Sequence, residues 1–454
     1  MKKEKKEFRN RLVRLVIPIA MQQLMLALVN VSDAVMLGFL NQDSLSAVSL
    51  AGQIQFVYNL FVTAVTGGIS ILAAQYWGIN DKKSVEKILG IGLKLMVLIS
   101  IPFTIAALFI PELLMKLFAS DPSLISKGAE YLQVVAISYL LLAVSQVYLC
   151  IMKNCGQAGK CSLISSVSVV LNIILNWIFI FGVGPVPAMT IKGAALATVI
   201  SKVIELAWAM IVMAKKDNVK INLKLTLFND KILKKDYMKY SLPLLGNMLA
   251  WGIGFTMYTV IMGHLGSDAA AANSIVNIVK NLSICVCSGV ATASAVLVGG
   301  ELGKGNIEKA KRYGSRLSHV SLVCGIISGC IILCIIPFVG YFTTISETAQ
   351  SYMKVMLVVS SYYVVGKAMN MTIISGIFPS GGDSKFGLKC DTITMWCVTV
   401  PIGLIAAFVL KLPVIVIYTL INIDEIVKLP AVYIHYKKYK WLNNLTRKEE
   451  TASA

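Results

Sequence analysis

The most informative side chain is an acid where acids are costly. Asp33 lies about 21 residues into an apolar stretch, residues 12–38, long enough to cross about 30 Å of hydrocarbon. At 1.5 Å per helical residue that places it deep in the outer half of the span. A carboxylate there is expensive unless it faces a cavity or a partner, which makes it a functional candidate by default. Gln23, Asn30 and Asp33 recur at i, i+7 and i+10, forming one polar stripe on an otherwise apolar helix. The chemistry this suits is uptake and release of a proton. A proton carrier must change state near neutral pH, whereas an unperturbed aspartate titrates near 3.9; burial disfavours the charged form and can close that gap. Pro18, fifteen residues earlier, removes a helical hydrogen bond and makes a kink point, so protonation could be coupled to helix bending. The plainer alternative is that Asp33 caps a helix end near the outer interface.

Other stripes accompany it. Asn59, Thr63, Thr66 and Ser70 follow helical spacing, Asn172 and Asn176 lie one turn apart, and Thr198, Lys202 and Glu205 share a face on which the last two can pair. Single polar groups between membrane helices often serve only as packing glue. Several stripes beside one acid point to a wet cavity in the N-terminal half. The C-terminal half offers a different set: Trp251, Tyr258, Asn277, Lys280, Tyr363, Lys367 and Asn370, with Asn273 nearby. Its lysines could hold an anionic group or neutralise local carboxylates and carbonyls. Asp424, Glu425 and Lys428 suit internal pairing. The 19 Met and the tryptophans Trp251 and Trp396 could line a pocket for flat organic cations or simply pack. The ten Cys include no CxxC pair and read as buried thiols, so no metal site is expected beyond sodium at Asp33. There is no P-loop, GxSxG or HExxH, hence no sign of ATP-driven transport, hydrolase chemistry or a cofactor. An enzyme is not expected.

The elements that position these residues are set by composition. The chain has 454 residues, 57% hydrophobic and 14% charged, with mean hydropathy +0.75. Soluble domains carry about a quarter charged residues, so a cytosolic enzyme is excluded. Twelve apolar spans are predicted at 12–38, 48–74, 88–110, 130–152, 162–182, 193–213, 240–262, 270–298, 315–337, 351–374, 391–410 and 413–434. With the N-terminus inside, 33 of the 42 Lys and Arg fall on inner segments and 4 on outer loops. Both termini are therefore expected in the cytoplasm of a multi-pass cell-membrane protein, with the lysine-rich start a retained first helix. The +19 net charge is largely topological, so nucleic acid is not an expected partner.

A shift of 225 residues pairs Pro18 with Pro243, Gly38 with Gly263, Asp43 with Asp268, Gly78 with Gly303 and Gly156 with Gly381. Asp33 meets Tyr258, so the repeat does not preserve the acid. Each half holds six spans, and an even number per copy makes the repeat parallel. The predicted fold is an all-α polytopic membrane protein of twelve transmembrane helices in two six-helix bundles: an N-terminal lobe at 1–213, a cytoplasmic linker at 214–239, a C-terminal lobe at 240–435 and a tail at 436–454. Such paired bundles suit alternating access.

Several segments together resemble the multidrug and toxic compound extrusion (MATE) transporters: Asp33-Ala34-Val35-Met36-Leu37-Gly38 followed by Leu45-Ser46-Ala47-Val48-Ser49, Ala74-Gln75 with Gly78, Asn172 with Asn176, Gly193 to Thr198, and Ser380 to Lys385. The resemblance covers roughly residues 10–435. It implies a twelve-helix antiporter that expels cationic, amphipathic compounds on a proton or sodium gradient. The family's first-span acid matches Asp33 and its kinking proline matches Pro18. Its fifth-span pair matches Asn172 and Asn176, without the second carboxylate often found there. Acids that some members place in the seventh and tenth spans are replaced here by Trp251 and Lys367. The expected partners are a small-molecule substrate, the coupling ion and the bilayer, and the expected state is a monomer. The competing readings are a flippase for a lipid-linked oligosaccharide or other anionic headgroup, and a membrane-embedded enzyme.

Overall fold

In the computed structural model, residues 2–40, 42–119, 121–214, 230–339 and 346–447 are described, apart from the side chains of residues 2, 3, 30, 34 and 42. Most of the basic linker (215–229) and the end of the tail (448–454) lie outside the described residues, as does the side chain of Asn30. The chain is all-α, as expected. In hydrocarbon each backbone N–H and C=O must be satisfied within its own segment, and a helix does this. Eleven helices among the described residues are long and apolar enough to cross a membrane: α1 (Lys2–Leu40), α2 (Gln42–Gly78), α3 (Lys82–Phe109), α5 (Pro122–Asn154), α6 (Ala158–Phe181), α7 (Thr190–Met213), α8 (Lys231–His264), α9 (Ser267–Gly303), α10 (Ile307–Val339), α11 (Glu347–Ser380) and α12 (Ser384–Val409). A short α4 (Pro111–Lys116) follows α3.

Local chemistry sets the ends. Asp81 caps α3 by accepting from the Ser84 N–H at 3.0 Å, Asp121 caps α5 through Ser123 at 2.8 Å with Pro122 at the first helical position, and Ser346 caps α11 through Ala349 at 3.1 Å. Asp230 accepts from the Leu233 N–H at 3.0 Å and from Lys87 at 3.2 Å. Partial burial opposes its ionisation, but those donors outweigh it and hold the carboxyl below the usual range.

The twelfth apolar stretch is not one helix. It is built from α13 (Val414–Ile421), α14 (Asp424–Val427) and α15 (Leu429–Lys437). The break falls at Asn422, whose amide turns back onto the Tyr418 carbonyl at 2.9 Å. Pro430 then lacks the N–H that a continuous helix would need. α11 and α12 contain wide π-helical turns at Met371–Ile377 and Ile393–Thr399. Pro379 and Pro401 follow these turns directly, and a wider turn relieves the clash of a proline ring with the preceding carbonyl.

The chain forms two compact units. The N-terminal unit comprises Met21–Ala73 and Asp81–Met238; the C-terminal unit comprises Met1–Ala20, Ala74–Asn80 and Lys239–Ala454. In the N-terminal unit Tyr58 is fully buried, donates to the Tyr139 carbonyl at 2.8 Å and meets the Ser100 hydroxyl at 2.7 Å, tying α2 to α5 and α3. The C-terminal unit centres on Ile261, Met262, Val276, Ile332, Met353, Met356, Leu357, Ile417 and Tyr418. It also holds a contact with the symmetry of the repeat. Gly78 packs on Gly300, and Gly303 packs on the Gln75 backbone. The 225-residue shift exchanges one contact for the other, so two copies of one motif meet face to face where only hydrogen fits.

Gly303→Val should therefore cost about 1–3 kcal/mol or more by overpacking against backbone, seen as a lowered unfolding temperature in detergent. Gly263→Ala, where an added Cβ meets nothing within 4 Å, should leave stability unchanged or raise it by up to about 1 kcal/mol.

Candidate functional site

A cavity of about 430 Å³ opens inside the N-terminal unit. Seven of the expected residues line it: Gln23 and Asp33 from α1, Asn59, Thr63 and Thr66 from α2, Asn172 from α6 and Thr198 from α7. Thr63 and Thr66 donate to the Asn59 and Val62 carbonyls of their own helix at 2.8 Å, a local bond that keeps the hydroxyls off other work. The cavity is also lined by Tyr131, Gln146 and Lys153 of α5, Ser168 of α6, and Ser201 and Lys202 of α7. Sequence spacing does not reach most of these. Gln146, a polar group in mid-span, carried the same signal as Asn172.

Asp33 is joined to the far wall by one short bond. The fully buried Asn176 donates through Nδ2 to Asp33 Oδ1 at 2.6 Å and to Asn172 Oδ1 at 3.3 Å. Asn172 donates onward to Thr198 at 3.4 Å and to Ser201 at 3.5 Å. A polar line thus runs from α1 across α6 to α7, built from residues 143 positions apart in the chain at its first step. The amide oxygen of Asn176 is buried and accepts no hydrogen bond. Asn176 therefore offers Asp33 a donor now and, by turning its amide over, an acceptor. It can bond the carboxylate or the carboxylic acid equally well.

Basic groups share the chamber. Lys202 is bonded to the buried Glu205 at 2.7 Å, and Glu205 also accepts from Ser145 at 3.1 Å. Lys153 lines the cavity as well. With Asp33 ionised, the two lysines and two carboxylates balance; with Asp33 protonated, the chamber gains one positive charge. Pro18 stands inside α1 within the C-terminal unit, two residues before the helix passes to the N-terminal unit after Ala20.

The residues expected in the second half gather around a buried ion-pair network. Lys367 bonds Glu425 at 3.0 Å and lies 4.9 Å from the Trp251 ring centre. Asn370 donates to Glu425 at 2.8 Å, and Lys428 bridges Glu425 at 3.0 Å and Asp391 at 2.8 Å. Lys280 donates to Asn422 at 2.9 Å and lies 4.1 Å over the ring of Tyr363. Tyr258 pairs with Thr399 at 2.7 Å, and Asn277 is half-buried on α9. Asp391, Asn422 and Asn247, which donates to Asp391 at 3.0 Å, were not anticipated. Asp391 is the first residue of the apolar stretch 391–410, so its place at a span end lacked the depth that singled out Asp33.

The comparisons with known proteins follow the same lines. The family model MatE matches residues 18–178 and 243–405, the two copies of the repeat. The uncharacterized transporter YisQ of Bacillus subtilis is 21% identical over 90% of this chain and 90% of its own. The probable multidrug resistance protein NorM of Thermotoga maritima is 23% identical over 89% of this chain and 87% of its own. A MOP superfamily transporter from Pyrococcus furiosus, described as having a binding pocket of reverse polarity, shares the fold with a TM-score of 0.86 at 22% identity, over 95% of this chain and 96% of its own.

A double-mutant cycle of Asp33→Ala and Asn176→Ala should give a coupling of about 1.5–3 kcal/mol at neutral pH, the range for a hydrogen bond to a charged group. Thermal unfolding of the four proteins measures it, and a coupling near zero would show that the 2.6 Å contact carries no energy.

Proposed function

Because the chain belongs to the MATE family of membrane transporters, we propose that it is a secondary multidrug efflux antiporter of the cell membrane, exporting cationic amphipathic compounds in exchange for protons by alternating access. The observation that supports this best is Asp33, a single carboxylate lining a 430 Å³ chamber and held by an amide with a spare acceptor. The topology that goes with it, both termini in the cytoplasm, rests on the strong bias of Lys and Arg to alternate loops.

In this reading ionised Asp33 attracts the cargo's positive charge from a low-dielectric wall, where the attraction is strong. Proton uptake removes that charge and leaves Lys153 and Lys202 unopposed by it, so the chamber repels the cargo it held. The same event trades the Asn176 N–H donor for its Oδ1 acceptor. The line through Asn172 to Thr198 and Ser201 must then re-form, which communicates the state of α1 to α6 and α7. One carboxylate with one amide partner suits a proton, which needs a single oxygen, better than a hard metal cation, which gathers several. The flippase alternative draws less support, because Lys367 is engaged by Glu425 and Lys280 by Asn422 and the face of Tyr363.

Asp33→Asn should abolish efflux of ethidium driven by an imposed pH gradient, by more than tenfold in proteoliposomes, while membrane insertion is retained. Full activity in that variant sinks the reading. An imposed sodium gradient without a pH gradient should drive no efflux in the unmodified protein.

A further inference from the structure

The segment that follows α15 has no regular structure of its own, yet it is bonded along its length. The chain turns at Tyr439, whose φ of 54° is a left-handed value that residues with a side chain seldom adopt. From Trp441 to Arg447 it then runs outside any helix. Trp441 is fully buried: its ring stacks on Tyr436 at 5.5 Å, and its indole N–H donates to the Tyr436 carbonyl at 3.1 Å. Two glycines make the space. A Cβ at Gly314 of α10 would stand 2.7 Å from the indole ring, and one at Gly381 would meet the Trp441 carbonyl oxygen. Beyond this anchor Asn443 and Asn444 are exposed, so the rest of the segment lies on the surface.

One side chain reads its backbone. Gln75, in the last turn of α2, is fully buried. It donates to the Asn443 carbonyl at 3.2 Å and accepts from the Leu445 N–H at 2.6 Å. An amide offers a donor and an acceptor together, and here they meet residues i and i+2 of an extended backbone as a neighbouring β-strand would. The same amide donates to the Ser380 carbonyl of α11 at 2.6 Å, which fixes its orientation. Asn444 donates to the Gly303 carbonyl of α9 at 3.2 Å, and the Arg447 N–H to the Tyr76 hydroxyl at 3.3 Å. One aromatic anchor followed by backbone bonds to a polar groove is how a docked peptide is held, and such bonds can be exchanged for water as the peptide lifts away. The groove also has a telling position: α2 passes into the C-terminal unit at Ala74, and Gln75 and Tyr76 stand just past that point.

We propose that Trp441–Arg447 is a releasable strap, a tethered peptide docked in a groove at the ends of α2, α9 and α11. Docked, it fixes the last turn of α2 to the C-terminal unit; released, it frees that turn. The ligand the groove takes is an extended peptide with a tryptophan two residues before its first backbone contact, supplied here by the chain itself. Trp441 anchors it and Gln75 sets its register.

The test needs no transported compound, so its outcome is independent of the proposed function. Full-length protein in detergent is titrated with a fluorescein-labelled peptide of the sequence Tyr439–Arg447, followed by fluorescence anisotropy. Full-length Trp441→Ala, whose own strap has lost its anchor, should bind the peptide saturably. The unmodified protein, whose groove is filled, should bind it about tenfold more weakly or worse, and so should Trp441→Ala combined with Gln75→Leu. If the Trp441→Ala protein does not fold, hydrogen exchange in full-length Gln75→Leu decides: amides of residues 442–447 should exchange about tenfold faster, while those of residues 290–298 in α9 keep the unmodified rate. The proposal is overturned by no saturable binding to Trp441→Ala, by equal binding to the unmodified protein, or by binding indifferent to Gln75→Leu. In the exchange experiment, an unchanged rate at 442–447 or an equal acceleration in α9 overturns it.

Discussion

The structure depends on the penalty for holding an ionised group away from water. Inside a bilayer-sized stack of apolar helices, a charge persists only when it is paired, solvated in a cavity or free to neutralise. The two units of this chain answer that constraint differently, and most of what distinguishes them follows from the answer.

In the N-terminal unit the answer is a chamber. Asp33 faces a lined space and takes one short bond from Asn176. Its neighbour is an amide, not a second acid, and an amide presents a donor and an acceptor at two edges of one planar group. That chemistry tolerates both protonation states of the carboxyl without leaving either poorly bonded. The Thr63 and Thr66 hydroxyls of α2 are satisfied within their own helix, which leaves the α1–α6–α7 line as the part of the wall that must respond when Asp33 changes charge.

In the C-terminal unit the answer is mutual neutralisation. Trp251 stands on α8 and Lys367 on α11, and the acids that face this cluster come from α12 and α14. Glu425 at the helix break gathers two lysines and an asparagine, and Asp391 closes the network. The interruption of the last apolar stretch is part of the same solution. Breaking the helix at Asn422 frees backbone and side-chain positions for Lys280 and Glu425 to be met from several directions, at the cost of a spanning helix split into three.

Sequence by itself determined what is local or periodic. Hydropathy over single stretches gave eleven of the spans, because a membrane helix satisfies its own backbone without reference to the rest of the chain. The 225-residue shift showed the repeat, and Asp33 announced itself because an unexplained charge in an apolar run needs no partner to be recognised. It could also suggest that Lys202 would meet Glu205, since three residues on a helix are neighbours by geometry. The twelfth span escaped this logic: its hydropathy read as continuous, while polar side chains at 422, 424 and 425 and Pro430 made three short helices cheaper than one. Only the tertiary structure decided who faces whom at long range. Asp33 and Asn176 are 143 residues apart, Lys367 and Glu425 are 58 apart, and Lys280 and Asn422 are 142 apart. No spacing rule links such pairs, because their meeting depends on the rotation and depth of separate helices, which packing sets and composition does not.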